Sequence, residues 1–126
     1  MTLQTLPTLL RRSDTIATYG MLVAGVVHTS LTPIFKPTFD QDALWFAGTG
    51  LALCFLAGLN LLRRTTAHPS TRWFGRAANV VGTVYMLVVA QTLQAPHVYL
   101  VLAFVGAATI NSFIRSTDRQ PLPERV

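Results

Sequence analysis

The chain has 126 residues, enough for one soluble domain, yet 51% of them are hydrophobic, 12% are charged and the mean hydropathy is +0.44. That balance excludes an ordinary water-exposed globule. A net charge of +5 and a pI of about 10.4 would suggest nucleic acid as the partner of a soluble domain, but the placement of the charges along this chain argues against it.

The windows 16–35, 43–62, 77–95 and 97–114 contain no Asp, Glu, Lys or Arg. An uncharged apolar run of about 20 residues, rising ~1.5 Å per residue, matches the ~30 Å hydrocarbon core of a bilayer. Four such runs predict an all-α, integral membrane four-helix bundle, up-down-up-down with short loops, forming a single membrane domain over residues 1–126. What remains is divided among short ends and loops, so no water-exposed catalytic domain is expected.

In chain order, residues 1–12 hold Leu3, Leu6, Leu9 and Leu10 beside Arg11 and Arg12, broken by Pro7. They read as a short amphipathic stretch along the membrane interface. Ser13 or Asp14 is placed to cap the first span, since either side chain accepts from the unpaired N–H groups of a helix start. The run 16–35 is longer than a signal-peptide core, carries His28 and ends in Pro-Ile-Phe-Lys, so it reads as a retained span. Residues 36–42 form an outer loop closed by Asp40 or Asp42 as the next N-cap, with Trp45 and Phe46 at the headgroup boundary. The second span ends at Asn60 to Arg64, the following loop contains Pro69, and Trp73 and Phe74 mark re-entry. Gln94-Ala95-Pro96-His97 reverses so tightly that the third and fourth spans are antiparallel neighbours. The tail from Ser116, with Pro121 and Pro123, reads as disordered.

This topology puts Arg11, Arg12, Arg63, Arg64, Arg72, Arg76, Arg115, Arg119 and Arg125 on one face. The other face has only Lys36, offset by Asp40 and Asp42. Basic loops are retained in the cytoplasm, so both termini and the middle loop are expected on the cytoplasmic side of a cell inner membrane. Anionic lipid headgroups are expected partners of that face, at roughly 1 kcal/mol per basic residue near the surface.

Between lipid-immersed helices, close approach depends on small residues at helical spacing. Gly50, Cys54 and Gly58 supply such a stripe in the second span, Gly82 in the third, and Ala103 and Ala107 in the fourth. They read as contact faces within the chain or between identical copies. Cys54 is the single cysteine, which excludes an intramolecular disulfide.

Asn60, Asn79 and Asn111 all fall about one turn inside the arginine-rich boundary. Amides on neighbouring helices can satisfy one another as interhelical contacts; the alternative is a polar vestibule for a headgroup or small ligand. Near the other boundary, His28, Gln94 and His97 are placed to converge on an interior cavity. An ionisable group at membrane depth is a functional hypothesis. His28 is read as hydrogen-bonded and structural, as a ligand- or proton-handling group, or as a ligand of metal or haem. Haem needs two imidazoles at one depth, whereas His28 and His97 are offset by roughly 10 Å along their helices. No His-Glu-x-x-His, phosphate loop, nucleophile elbow or paired carboxylate occurs, so no catalytic or metal residue is named and no cofactor is predicted, with haem or quinone as what the cavity would have to accept.

In length and number of spans the chain resembles small multidrug-resistance transporters and dual-topology fluoride channels. The former use a carboxylate within the first span, where this sequence offers His28, and the latter have balanced loop charges. Neither pattern is present, and no residue roles carry over. The expected function is a small polytopic inner-membrane protein without enzymatic activity of its own: a scaffold or subunit of a membrane complex, or a homo-oligomer. The alternative is binding or transport of a small ligand, quinone or proton through a cavity involving His28.

Overall fold

Stretches with so few charged side chains leave the backbone as their main polar burden, and a helix satisfies it within one segment. The computed structural model describes residues 5–66 and 68–114. It consists of α1 (Thr5–Ser30), the single turn α2 (Thr32–Phe35), α3 (Gln41–Thr65), α4 (Pro69–Leu93) and α5 (Pro96–Ile114). Among the described residues 91% are helical and none is in a strand. Leu3, Arg115, Arg119, Arg125 and the tail expected to be disordered lie outside the described residues.

Helices α3, α4 and α5 are each long and apolar enough to cross a membrane. Helix α1 is as long but is not among them, so three helices rather than four meet that standard. The expected span 16–35 is broken: α1 stops at Ser30 and α2 takes up the rest, so only residues 16–30 of it lie in α1, and any 18-residue stretch of α1 takes in Asp14 with several Ser and Thr residues. Ser13 and Asp14 therefore do not cap a helix; both lie inside one. Helices α3 and α4 likewise run past their windows through Arg63, Arg64, Arg72 and Arg76. Arginine is a good helix former, and at the end of α3 it also favours the negative pole of the helix dipole.

The connections are short and chemically specified. Asp40 is the N-cap of α3, its carboxylate accepting from the Ala43 N–H at 2.9 Å. That bond, followed by one from the Thr38 hydroxyl, holds the Asp40 carboxyl below the usual carboxylate range. Pro69 and Pro96 sit in the first turns of α4 and α5, where proline costs no hydrogen bond. Between those helices Gln94 takes a left-handed conformation, φ 41°, and its N–H closes α4 on the Ala90 carbonyl.

The four long helices form a ring of neighbours: α1 lies against α3 and α5, and α4 against α5 and α3. Ala17, Met21, Leu53, Ala57, Met86, Val105 and Ala108 fill the interior. The outer surface stays apolar, with Phe55 72% and Val81 68% exposed. The closest approach is between α1 and α3. A Cβ at Gly25 would lie 2.6 Å from the Gly50 carbonyl and 2.8 Å from Cys54 Sγ, and one at Gly50 would overlap Thr29 Oγ1. Only glycine lets these backbones meet at this crossing.

Gly50→Val is expected to destabilise the protein by about 1–3 kcal/mol, the usual cost of overpacking, in reversible unfolding from detergent micelles. Gly48→Val is the control, because nothing lies within 4 Å of a Cβ there. Equal effects of the two would show that the crossing is not tight.

Candidate functional site

The polar side chains of this apolar chain gather at the arginine-rich end of the ring. Asp14 on α1 is 0% exposed and Arg63 on α3 is 8% exposed. Arg63 Nη2 donates to Asp14 Oδ1 at 2.8 Å, while Arg64 Nε lies 3.8 Å from Oδ2. The Arg63 stem passes over Gly75 of α4, where a Cβ would stand 3.2 Å from its Cδ. A buried charge is tolerated only when paired and hydrogen-bonded, and here each charge closes off the other.

From this pair the hydrogen bonds continue across the ring. Arg63 Nε donates to Asn60 Oδ1 at 3.3 Å. Asn60 and Asn79 bond reciprocally through their side-chain amides at 2.7 and 2.8 Å, and Asn60 Nδ2 also reaches the Leu56 carbonyl. The Asn79 carbonyl accepts from the hydroxyls of Thr83 and Thr109, which stand 2.7 Å from each other. Asn111 Nδ2 donates to Ser13 Oγ at 2.9 Å, tying α5 to α1. Arg76 Nε donates to the Ser112 carbonyl at 3.1 Å, with its guanidinium carbon 5.5 Å from the centroid of the Phe113 ring. Four helices thus share one polar lattice.

Of the three asparagines, Asn60 and Asn79 meet, whereas Asn111 is buried apart from them and finds its partner on α1. Gly50 and Cys54 pack on α1, with Cys54 Sγ 4.0 Å from the Leu22 carbonyl. Nothing lies within 4 Å of a Cβ at Gly58. A Cβ at Gly82 would meet Leu56 and Val105, Ala107 packs against the core, and Ala103 is exposed.

At the opposite end, His28 is half-buried and stacks on Phe46, ring centroids 3.9 Å apart. His97 is exposed and lies within electrostatic range of His28. Gln94 is exposed in the turn, its side chain 3.5 Å from the Gln91 carbonyl. None of the three lines the groove of about 660 Å³ between α3 and α4. That groove is apolar, walled by Trp45, Phe55, Leu56, Tyr85 and Met86 with Gly48 and Gly82. Among the described residues no three His, Cys, Asp or Glu side chains are grouped to hold a metal.

Sequence reasoning missed the Asp14–Arg63 pair and the Thr83–Thr109 contact. The signal for the first was present. Asp14 is the sole acidic residue before Asp40, it lies just ahead of the first uncharged window, and Arg63 lies just past the second. An antiparallel hairpin places those positions at one depth. Comparison with protein-family models, curated proteins and solved structures finds no match.

Arg63→Ala is expected to cost about 3–5 kcal/mol, because it removes the nearest guanidinium from a buried carboxylate. Replacing both partners, Asp14→Leu with Arg63→Met, should cost less than either single change. Additive losses in that double-mutant cycle, measured by unfolding in detergent, would show that the two side chains act independently.

Proposed function

We propose that this chain is a small polytopic membrane protein of accessory type, acting through contacts with other membrane-embedded protein rather than through chemistry of its own. In this reading α1, α3, α4 and α5 form an up-down-up-down four-helix bundle across a bacterial-type inner membrane. The arginine-rich end and both termini face the cytoplasm. The lipid bilayer, anionic headgroups at that face, and a second copy or another membrane protein are its partners.

Support comes foremost from the use of the polar groups. The buried carboxylate, guanidinium and amides are bonded to one another between helices, while the groove between α3 and α4 is apolar. An arrangement of that kind suits helix packing better than turnover of a polar substrate. Gly58, with open space over its Cα, extends a small-residue face on α3 that another helix can approach.

The test combines topology with assembly. Reporter fusions in the connector between Arg63 and Arg76 should read cytoplasmic. Gly58→Leu, whose Cβ has nothing within 4 Å among the described residues, should shift crosslinked species from native membranes towards the monomer with little change in unfolding. A periplasmic connector refutes the orientation, and an unchanged crosslinking pattern refutes Gly58 as a contact.

One observation favours a second reading, binding of a small ligand, quinone or proton near His28: its half-buried ring stacks on Phe46. There, His28→Ala should abolish a ligand-dependent absorbance or protection from heat while leaving membrane level unchanged. Retention of that signal in His28→Ala counts against it.

A further inference from the structure

Among the described residues, the charges at the arginine-rich end do not balance. Among the described residues, Asp14 is the one carboxylate there, and Arg63 occupies its Oδ1 at 2.8 Å. Arg64 is left with a contact of 3.8 Å to Oδ2, although four-fifths of its side chain is buried. Its Nη2 donates to Thr15 Oγ1 at 2.6 Å, but Nη1 is buried with no acceptor among the described residues. A second guanidinium set against one carboxylate leaves a net positive charge in a poorly hydrated place, which favours an anion nearby.

Beside it lies a shallow pocket of about 390 Å³ on α1, lined by Thr8, Arg11, Arg12, Thr15 and Ile16. Thr15 belongs both to this pocket and to the Arg64 contact, so the excess charge and the pocket adjoin. Arg11 and Arg12 are exposed, and their planar forks match the geometry of a phosphate oxygen pair. From Ile16 an apolar stripe continues along α1 through Tyr19, Val23, Val26 and Val27, all about half exposed or more. These recur every three or four residues, so they stand above one another on the helix face that begins at the pocket.

We propose that this pocket binds a phosphate-type anion, and that the phosphate is the headgroup phosphodiester of an anionic phospholipid whose acyl chain lies along the Ile16 to Val27 stripe. The basic cup alone would serve a free phosphate equally well. The stripe favours the lipid, since only a ligand with a hydrocarbon tail gains from it. This rests on the membrane reading above and adds to it a defined site, on one helix face, where general attraction to a basic surface would be diffuse.

The test uses the full chain reconstituted in neutral phosphatidylcholine vesicles with and without phosphatidylglycerol, followed by native mass spectrometry of retained lipid. Wild type should keep one phosphatidylglycerol in clear preference to phosphatidylcholine. Arg11→Gln with Arg12→Gln should weaken that retention by about 5-fold per arginine. Both side chains are exposed, so folding should persist, and unfolding in detergent confirms it. Ile16→Ser should weaken lipid retention, and a millimolar excess of inorganic phosphate should not displace the lipid. Equal retention of the two lipids by wild type, or no loss in the double variant, overturns the site. Displacement by inorganic phosphate with no effect of Ile16→Ser overturns the lipid assignment in favour of a free phosphate. Flotation with neutral vesicles, which does not depend on the arginines, tests the membrane reading separately, and failure to float refutes both.

Discussion

A buried carboxylate on one helix and a buried guanidinium on its neighbour impose one constraint before any other: neither can be left alone away from water. Asp14 and Arg63 meet it by facing each other, and that requirement decides how α1 lies on α3. Once the pair is made, the rotation of both helices about their axes is set. Gly25 and Gly50 then fall at the crossing further along, where the backbones come close enough that any side chain would clash. The polar contact selects the register, and the glycine contact permits the distance. Gly75 plays the corresponding part on α4, leaving room for the Arg63 stem to cross.

The lattice built on this pair is lopsided. Hydrogen bonds between side chains of different helices concentrate at the arginine-rich end, where α1, α3, α4 and α5 are cross-tied through Asn60, Asn79, Thr109 and Asn111. Towards the other end, contacts are mainly apolar, apart from the His28–Phe46 stack, and α3 and α4 part to leave an apolar groove. The cross-tied end therefore supplies the fixed geometry of the bundle.

Much of the helical framework was legible in the sequence because absence of charge is a one-dimensional signal: α3 and α5 contain the runs 43–62 and 97–114, and α4 contains the run 77–95 as far as Leu93. The helix ends were less so: arginine neither breaks a helix nor belongs to the apolar run, so α1, α3 and α4 run past the windows at their arginine-rich ends, while at the other end α1 and α4 stop at Ser30 and Leu93, short of the windows 16–35 and 77–95. The asparagines were recognisable as buried polar groups, but their pairing depends on helix rotation, which spacing along one chain does not contain. Asn111 shows this: its depth matches that of Asn60, yet its partner is Ser13 on α1. Asp14 was misread for a different reason. As a residue just ahead of an apolar run it has the position of a cap, and only a helix that begins earlier, at Thr5 among the described residues, turns that cap into a buried ion.

Helix α1 also bears on how average hydropathy should be weighed. Its mean is lowered by Asp14, Thr18 and Ser13, yet Asp14 and Thr18 are completely buried, and each of the three makes its hydrogen bonds within the protein. Beyond the exposed Arg11 and Arg12 at its start, α1 turns outward Ile16, Tyr19, Val23 and Val26, which are apolar or, like tyrosine, suited to a membrane interface. A bilayer responds to the outward face of an assembled helix, and an average over the whole helix mixes that face with one the lipid never meets. The proposed four-span arrangement therefore does not require α1 to be apolar throughout. It requires α3 and α5 to be in place to receive its polar side, which makes α1 the helix whose membrane placement depends most on its neighbours.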